Sequence, residues 1–273
     1  MLRVSFTVDI HTDKATFEIQ FGSIERPTHT NTMWDLAKDE CPAMKWADLS
    51  QRDYGVALLN DCKYGYRVKK NVLDLNLLRS VVYPRDPLEP GDDSRAEGAP
   101  RYGHTDQDDH VFTYALYPHA GDHVVGGVVR QGYELNHPLR CVTVAAAASA
   151  GKGQAAAAIA MPSLLTVSAE EVVVDTVKAA EDGSGCVVFR MYESAGSRVA
   201  TSLHFGAAVS EVVECDMMET PLPTAAAGGP REAGSAAGAG ASLRLQFLPY
   251  EVKTLLVTMS SSTEQQGRKR QKR

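Results

Sequence analysis

Aromatic residues make up only 7% of the 273 residues, and the two tryptophans, Trp34 and Trp46, stand close together. No stretch approaches the ~20 consecutive apolar residues that a helix needs to cross a bilayer. The longest low-polarity run, Val142 to Ala150, is mostly alanine, so no membrane partner is expected. The first residues, Met1 to Asp9, alternate in polarity instead of offering the continuous apolar stretch and small-residue cleavage site of a secretion signal. A cytoplasmic location is the expectation. Five scattered cysteines, Cys41, Cys62, Cys141, Cys186 and Cys215, form no CxxC pair and read as reduced thiols.

Basic charge is also scarce outside one place. The net charge is −6, yet Arg268, Lys269, Arg270, Lys272 and Arg273 crowd the last six positions, and without them it falls to −11. A body that acidic repels a phosphate backbone, so no nucleic-acid partner is expected for the folded part. A short basic tail is ordinarily a solvated one; an import or nucleic-acid element is the alternative.

Several catalytic signatures are missing: the GxSxG elbow, the GxxxxGK[ST] phosphate loop, GxGxxG after a strand, and HExxH. Asp106, Asp108, Asp109 and His110 lack the spacing of a calcium loop and read as a solvated loop, while His104, His119, His123 and His137 read as surface or turn residues. No metal ligand and no catalytic set emerges from spacing.

What the chain does have is period-two alternation. Val4, Phe6, Val8 and Ile10 alternate with polar residues, as do Phe17, Ile19 and Phe21, and the polar stretch His11 to Lys14 between them predicts an opening β-hairpin. Further strands are expected over Tyr54–Leu59, Val72–Leu78, His110–Tyr117, Glu171–Lys178, Cys186–Tyr192, Arg198–Phe205, Ser210–Cys215, Ser242–Phe247 and Glu251–Met259. Their recurrence, with Gly, Pro, Asn and Asp between them, predicts an all-β fold of packed antiparallel sheets. One short helix is expected over Trp34–Glu40, where Thr32 and Asp35 have capping-box spacing. Residues 85–109 form a Pro/Asp/Gly-rich insertion loop, 145–162 an Ala/Gly-rich linker, Thr224 to Ala241 a further Ala/Gly-rich loop, and 260–273 a disordered basic tail. The expected units are 1–144, an antiparallel β-sandwich, and 163–259, a smaller one.

The densest polar and aromatic cluster lies between Gly22 and Gly65. Tryptophan beside Arg, His, Asn and Asp suits sugar stacking and hydroxyl binding, although two tryptophans between sheets more often plug a core. Asn60, Asp61 and Lys63 directly follow an apolar strand, where scaffolds display functional side chains, but Asn-Asp ahead of Gly65 is equally ordinary turn chemistry.

Phe17 to Gly22, Arg26 to Thr32 with Trp34-Asp35, Lys45 to Ser50, the segment Ala57-Leu58-Leu59-Asn60-Asp61-Cys62-Lys63-Tyr64-Gly65, Leu77 to Ser80 and Phe112 to His119 together resemble the C-terminal region of glycoside hydrolase family 38, nearest its cytosolic, class II α-mannosidases. Tyr133 to Leu139, Thr176 to Asp182, Arg190 to Glu193 and Pro249 to Leu256 carry the likeness further. The resemblance implies a β-supersandwich portion over 1–144, followed by a small sandwich. It also implies retaining hydrolysis of terminal α-D-mannose by an aspartate nucleophile, an acid/base carboxylate and a zinc-type divalent ion. In the family those groups lie in an N-terminal α/β barrel that nothing here matches, so none of those positions transfers. The expected partners are that barrel and, with it, an α-mannoside or oligomannose sugar. The residues expected to brace the domain interface or the rim of the sugar site are Asn60, Asp61, Lys63 and Tyr64, then Arg26, His29 and Asn31. A stand-alone carbohydrate-binding or interaction module is the other reading.

Overall fold

The computed structural model describes residues 1–82, 103–142, 163–223 and 241–260. The predicted linker and basic tail lie outside them almost entirely, as do most of the 85–109 loop and of the second Ala/Gly-rich stretch. Two compact units result, Met1–Pro138 and Leu139 onward, with Phe21–Ser23 grouped with the second.

The first unit contains β1 (Leu2–Thr7), β2 (Lys14–Ile19), β3 (Gly22–Pro27), α1 (Met33–Ala37), β4 (Cys41–Pro42), β5 (Trp46–Ser50), β6 (Tyr54–Asn60), β7 (Gly65–Lys69), β8 (Val72–Leu78), β9 (Tyr114–Ala120) and α2 (Val128–Asn136). A four-stranded sheet, β1-β8-β7-β4, and a five-stranded sheet, β3-β2-β5-β6-β9, enclose a core of Ile10, Phe17, Leu49, Val56, Leu58, Tyr66, Leu73 and Leu75. Each fully buried Leu, Ile or Phe there contributes roughly 1.5–3 kcal/mol.

The opening hairpin does not form: β1 pairs antiparallel with β8, whereas β2 pairs with β5 in the other sheet. Alternation fixes which face of a strand is buried but not which strand lies beside it. The polar residues between β1 and β2 cross between the sheets, and their far end is pinned where Thr28 donates to the Asp13 and Thr12 carbonyls.

Strand β6 departs from alternation for a physical reason. Val56 and Leu58 face the sandwich core, while Ala57 and Leu59 join Trp46 and Val128 in a second cluster beneath α2. Both faces are covered, so the strand reads as a continuous apolar run. Helix α2, which the alternation-based reading missed, starts at Gly127 in the left-handed region (φ 63°) and lays Gly132 against Trp46, where a Cβ would come within 2.9 Å of the indole.

The second unit contains β10 (Leu165–Val167), β11 (Val172–Ala179), β12 (Val187–Glu193), β13 (Val199–Phe205), β14 (Val209–Cys215), β15 (Ser242–Phe247) and β16 (Val252–Met259). Sheets β10-β13-β15 and β11-β12-β16-β14 pack over Phe189, Met191, Leu203, Phe205, Phe247, Leu255 and Val257. Phe189 and Phe205 meet edge-on, with centroids 6.1 Å apart. The fold is all-β with antiparallel sandwiches, as expected.

Candidate functional site

The loop that joins β6 to β7 is organised by Asn60. Its side chain is 1% exposed, and its Oδ1 accepts from the backbone N–H of Cys62 (3.0 Å) and of Lys63. Its Nδ2 donates to the Met44 carbonyl (3.1 Å) and to the Tyr66 hydroxyl, which in turn donates to the Leu58 carbonyl. From α2, Asn136 donates to the Asn60 carbonyl. The asparagine amide offers both the acceptor that closes this turn and the donors that reach inward. Burial pushes the Tyr66 phenol well above its ordinary pKa, so it stays protonated as donor and acceptor.

Asp61, Lys63 and Tyr64 are carried outward by that turn. Asp61 exchanges hydrogen bonds with Thr113, whose N–H donates to Oδ1 at 2.9 Å. Partial burial works against the carboxylate, but donors from Cys62 and Thr113 outweigh it and hold the carboxyl below its ordinary pKa. Lys63 Nζ lies over the Phe112 ring, 5.1 Å from its centroid, and Tyr64 is exposed. The result is a lip with one anion, one cation and one phenol, able to accept from and donate to hydroxyl groups.

Arg26, His29 and Asn31 lie elsewhere on the unit. β3 is separated from β6 by β2 and β5, about 14 Å at ordinary strand spacing. The Arg26 guanidinium stacks on Phe17 at 4.6 Å, and its buried Nη1 has no hydrogen-bond partner among the described residues. Asn31 donates its N–H toward His29 Nδ1 (3.4 Å), and the same nitrogen stands 3.5 Å from Asp35 Oδ2. Asp35 completes the predicted capping box with Thr32, whose hydroxyl holds the Asp35 carboxyl below its ordinary pKa. The tryptophans divide: Trp46 plugs the core beneath α2, while Trp34 on α1 is 79% exposed.

A buried polar cluster escaped the sequence reading. His119, expected at the surface or in a turn, is buried within β9, and its Nε2 stands 2.8 Å from Asp48 Oδ1. Added Cβ atoms at Gly55 and Gly126 would come within 2.3 Å of the imidazole, so two glycines make the slot that holds it. His123 stacks on Trp46 with centroids 5.4 Å apart. Asp48 Oδ2, Trp46 Nε1 and His123 Nε2 are buried without hydrogen-bond partners among the described residues. The available signal was register: Trp46 and Asp48 share a face of β5, and His119, next to last in β9, lies opposite Gly55. A histidine walled in this way cannot meet a substrate, so the pair is structural.

All five cysteines are free thiols, and among the described residues no group of three or more His, Cys, Asp or Glu side chains converges to hold a metal ion. No described helix is long and apolar enough to cross a membrane.

Residues 1–87 match the model of the glycosyl hydrolases family 38 C-terminal domain, and residues 171–255 match that of the family 38 C-terminal beta sandwich domain. The chain belongs to glycoside hydrolase family 38. Human alpha-mannosidase 2C1 is 38% identical over 260 residues, 94% of this chain and 22% of the relative. Alpha-mannosidase G of Dictyostelium discoideum is 39% identical over 228 residues, 80% of this chain and 18% of the relative. The crystal structure of an alpha-mannosidase from Enterococcus faecalis V583 superimposes with a TM-score of 0.65 at 18% identity, over 93% of this chain and 25% of that one, a likeness of fold. The chain thus spans about a fifth of the length of the curated family 38 relatives it matches. Both candidate groups, Asn60–Tyr64 and Arg26–Asn31, lie in the first matched interval, whereas His119, His123 and α2 lie outside both.

Proposed function

We propose that this chain is the non-catalytic C-terminal β-portion of an α-mannosidase acting in mannose and oligosaccharide breakdown in the cytoplasm, where it supports a catalytic barrel and lends side chains to the rim of its sugar site. The observation that carries the reading is coverage: 94% of this chain corresponds to 22% of human alpha-mannosidase 2C1. The retaining displacement, the acid/base step and the zinc-type ion belong to the barrel. No donor set for that ion exists among the described residues, so no step is routed through one here.

Within this reading the residues of the β6–β7 loop divide the work. Asn60 positions the turn through five hydrogen bonds and does not itself reach out. Asp61, held ionised, accepts from sugar hydroxyls; Lys63 and Tyr64 donate to them or to the adjoining domain. Arg26, His29 and Asn31 are assigned to bracing the interface. The reading is tested by assaying the 273-residue chain alone on an aryl α-mannoside with added zinc or cobalt: no turnover is expected, and measurable turnover refutes it.

A further inference from the structure

The segment that follows β9, residues 121–136, is laid over β5 and β6 like a strap, and most of what orders it is internal to it. Asp122 accepts from the N–H groups of Val124 and Val125, and Gly126 and Val128 donate back to the carbonyls of Asp122 and His123. Few contacts tie the strap to the sandwich. Val128, Val129 and Leu135 pack on Trp46, Ala57 and Leu59. The Tyr117 hydroxyl donates to the Gly126 carbonyl at 2.9 Å, Asn136 to that of Asn60 at 3.0 Å, and at the root the Gly121 N–H donates to that of Asp53. Beyond α2, residues 137–142 are all exposed, so that end is not packed down. An element with so little buried surface opens before the sandwich does.

The remaining attachment is His123. Its ring stacks on Trp46 at 5.4 Å with 29° between the planes, and its Nε2 is buried with no hydrogen-bond partner among the described residues. That seat suits a neutral ring, because an imidazolium needs an acceptor for each N–H and a counter-charge nearby.

The charges around the seat are already balanced. Asp48 on β5 is the strongest charge acting on His123, and it is the partner of His119 on β9. Asp122, within the strap, is exposed and directs Oδ1 to two backbone N–H groups. Glu25 on β3 is exposed and paired with Lys14; beneath α2, Lys45 is paired with Glu18. A proton on His123 therefore sets two imidazolium rings beside one buried carboxylate. Burial holds His123 below its ordinary pKa, whereas at His119 burial is outweighed by the hydrogen bond to Asp48, which holds that ring above it. The second charge thus arrives only in acid, below about pH 6.5.

We infer that residues 121–136 form an acid-released strap, latched by the stack of neutral His123 on Trp46. The imidazolium is hydrated outside the seat and repelled by His119 within it, so protonation opens the latch. Release uncovers Trp46, Ala57 and Leu59. It also withdraws Asn136 from the Asn60 carbonyl, which loosens the turn that carries Asp61, Lys63 and Tyr64. The strap is a device of the fold and stands whether or not that turn meets a sugar.

The test uses the chain's two tryptophans. Trp34 is already exposed, so in the 273-residue chain Trp34→Phe leaves Trp46 as the single reporter. Between about pH 8 and about pH 5, Trp46 should become roughly threefold or more easier to quench with acrylamide, with a red-shifted emission maximum. Over the same range the amides of residues 131–136 should exchange roughly tenfold or more faster after correction for the intrinsic rate, while those of Phe17 and Leu58 keep their protection. Adding His123→Phe keeps an aromatic stack without a titrating nitrogen and should leave Trp46 shielded throughout. The ring protons of His123, followed by NMR in the unmodified chain, should titrate with the midpoint of the Trp46 change. A Trp46 that stays shielded in acid overturns the strap, as does loss of protection at Phe17 and Leu58 together with α2, which is global acid unfolding. A transition retained in His123→Phe, or a His123 midpoint separate from that of Trp46, overturns the latch. If the His123→Phe chain does not fold, the two midpoints decide.

Discussion

The imidazole of His119 meets Asp48 Oδ1 across 2.8 Å, in a slot walled by Gly55 and Gly126. Its other ring nitrogen faces the Ala120 carbonyl at 3.4 Å. Both partners are acceptors, so only the imidazolium serves both. Burial opposes that charge, but the hydrogen bond and attraction of Asp48, helped by the Ala120 carbonyl and Asp122, win and hold the His119 pKa above its ordinary value.

The pH dependence follows from that direction. A folded-state pKa above the unfolded one means that the contribution of His119 is complete below about pH 6.5 and is lost as pH rises through the higher folded value. Burial holds His123 below its ordinary pKa, so His123 opposes folding as pH falls below about 6.5. Asp48→Asn should lower stability at pH 6 by about 3–5 kcal/mol. Urea denaturation from pH 6 to 8.5 should show the variant losing the His119-dependent decline; a decline identical to that of the parent chain refutes the assignment.

Gly126→Ala places a Cβ 2.3 Å from His119 Nδ1 and should cost about 1–3 kcal/mol by overpacking. A double-mutant cycle with His119→Ala checks the cause, because removing the ring should recover most of that cost.

Asn60→Ala removes the acceptor that closes the β6–β7 turn and the donor to Tyr66, and should destabilise the first unit by about 3 kcal/mol. Lys63→Ala and Tyr64→Ala should change stability by no more than about 0.5 kcal/mol. Equal losses in all three variants, read by thermal melting, would show that the outward side chains are structural too.

In the second unit, Glu193 is fully buried and accepts from the backbone N–H groups of Ala195, Gly196 and Tyr250 and from the Ser197 hydroxyl. Glu193→Ala strands those donors and should cost about 3 kcal/mol or more. Loss of exchange protection at Gly196 and Tyr250, with the first unit unaffected, is the expected signature.

How much could be read beforehand varied with the kind of interaction. The strand Val72–Leu78 was legible to the residue, because its apolar residues alternate against one core. The box of Thr32 and Asp35 was legible because capping is local in sequence, although the helix stops at Ala37 rather than Glu40. β5 and β7 were missed because their apolar runs are short, and α2 because its buried face is little more than Val128 and Gly132.

Alternation and turn chemistry determined by themselves that the chain is all-β, and the run from Ala57 to Gly65 pointed to its family. Both rest on interactions between residues near in sequence. Only the tertiary structure decided that β1 lies beside β8 instead of β2, that Asn60 turns inward while Lys63 and Tyr64 turn out, and that His119 is buried on Asp48, 71 positions away. Those outcomes depend on which sheet edge a strand finds and on which face a third element covers. Such choices are settled by shared burial and by pairing of desolvated polar groups, and neither leaves a period in the sequence.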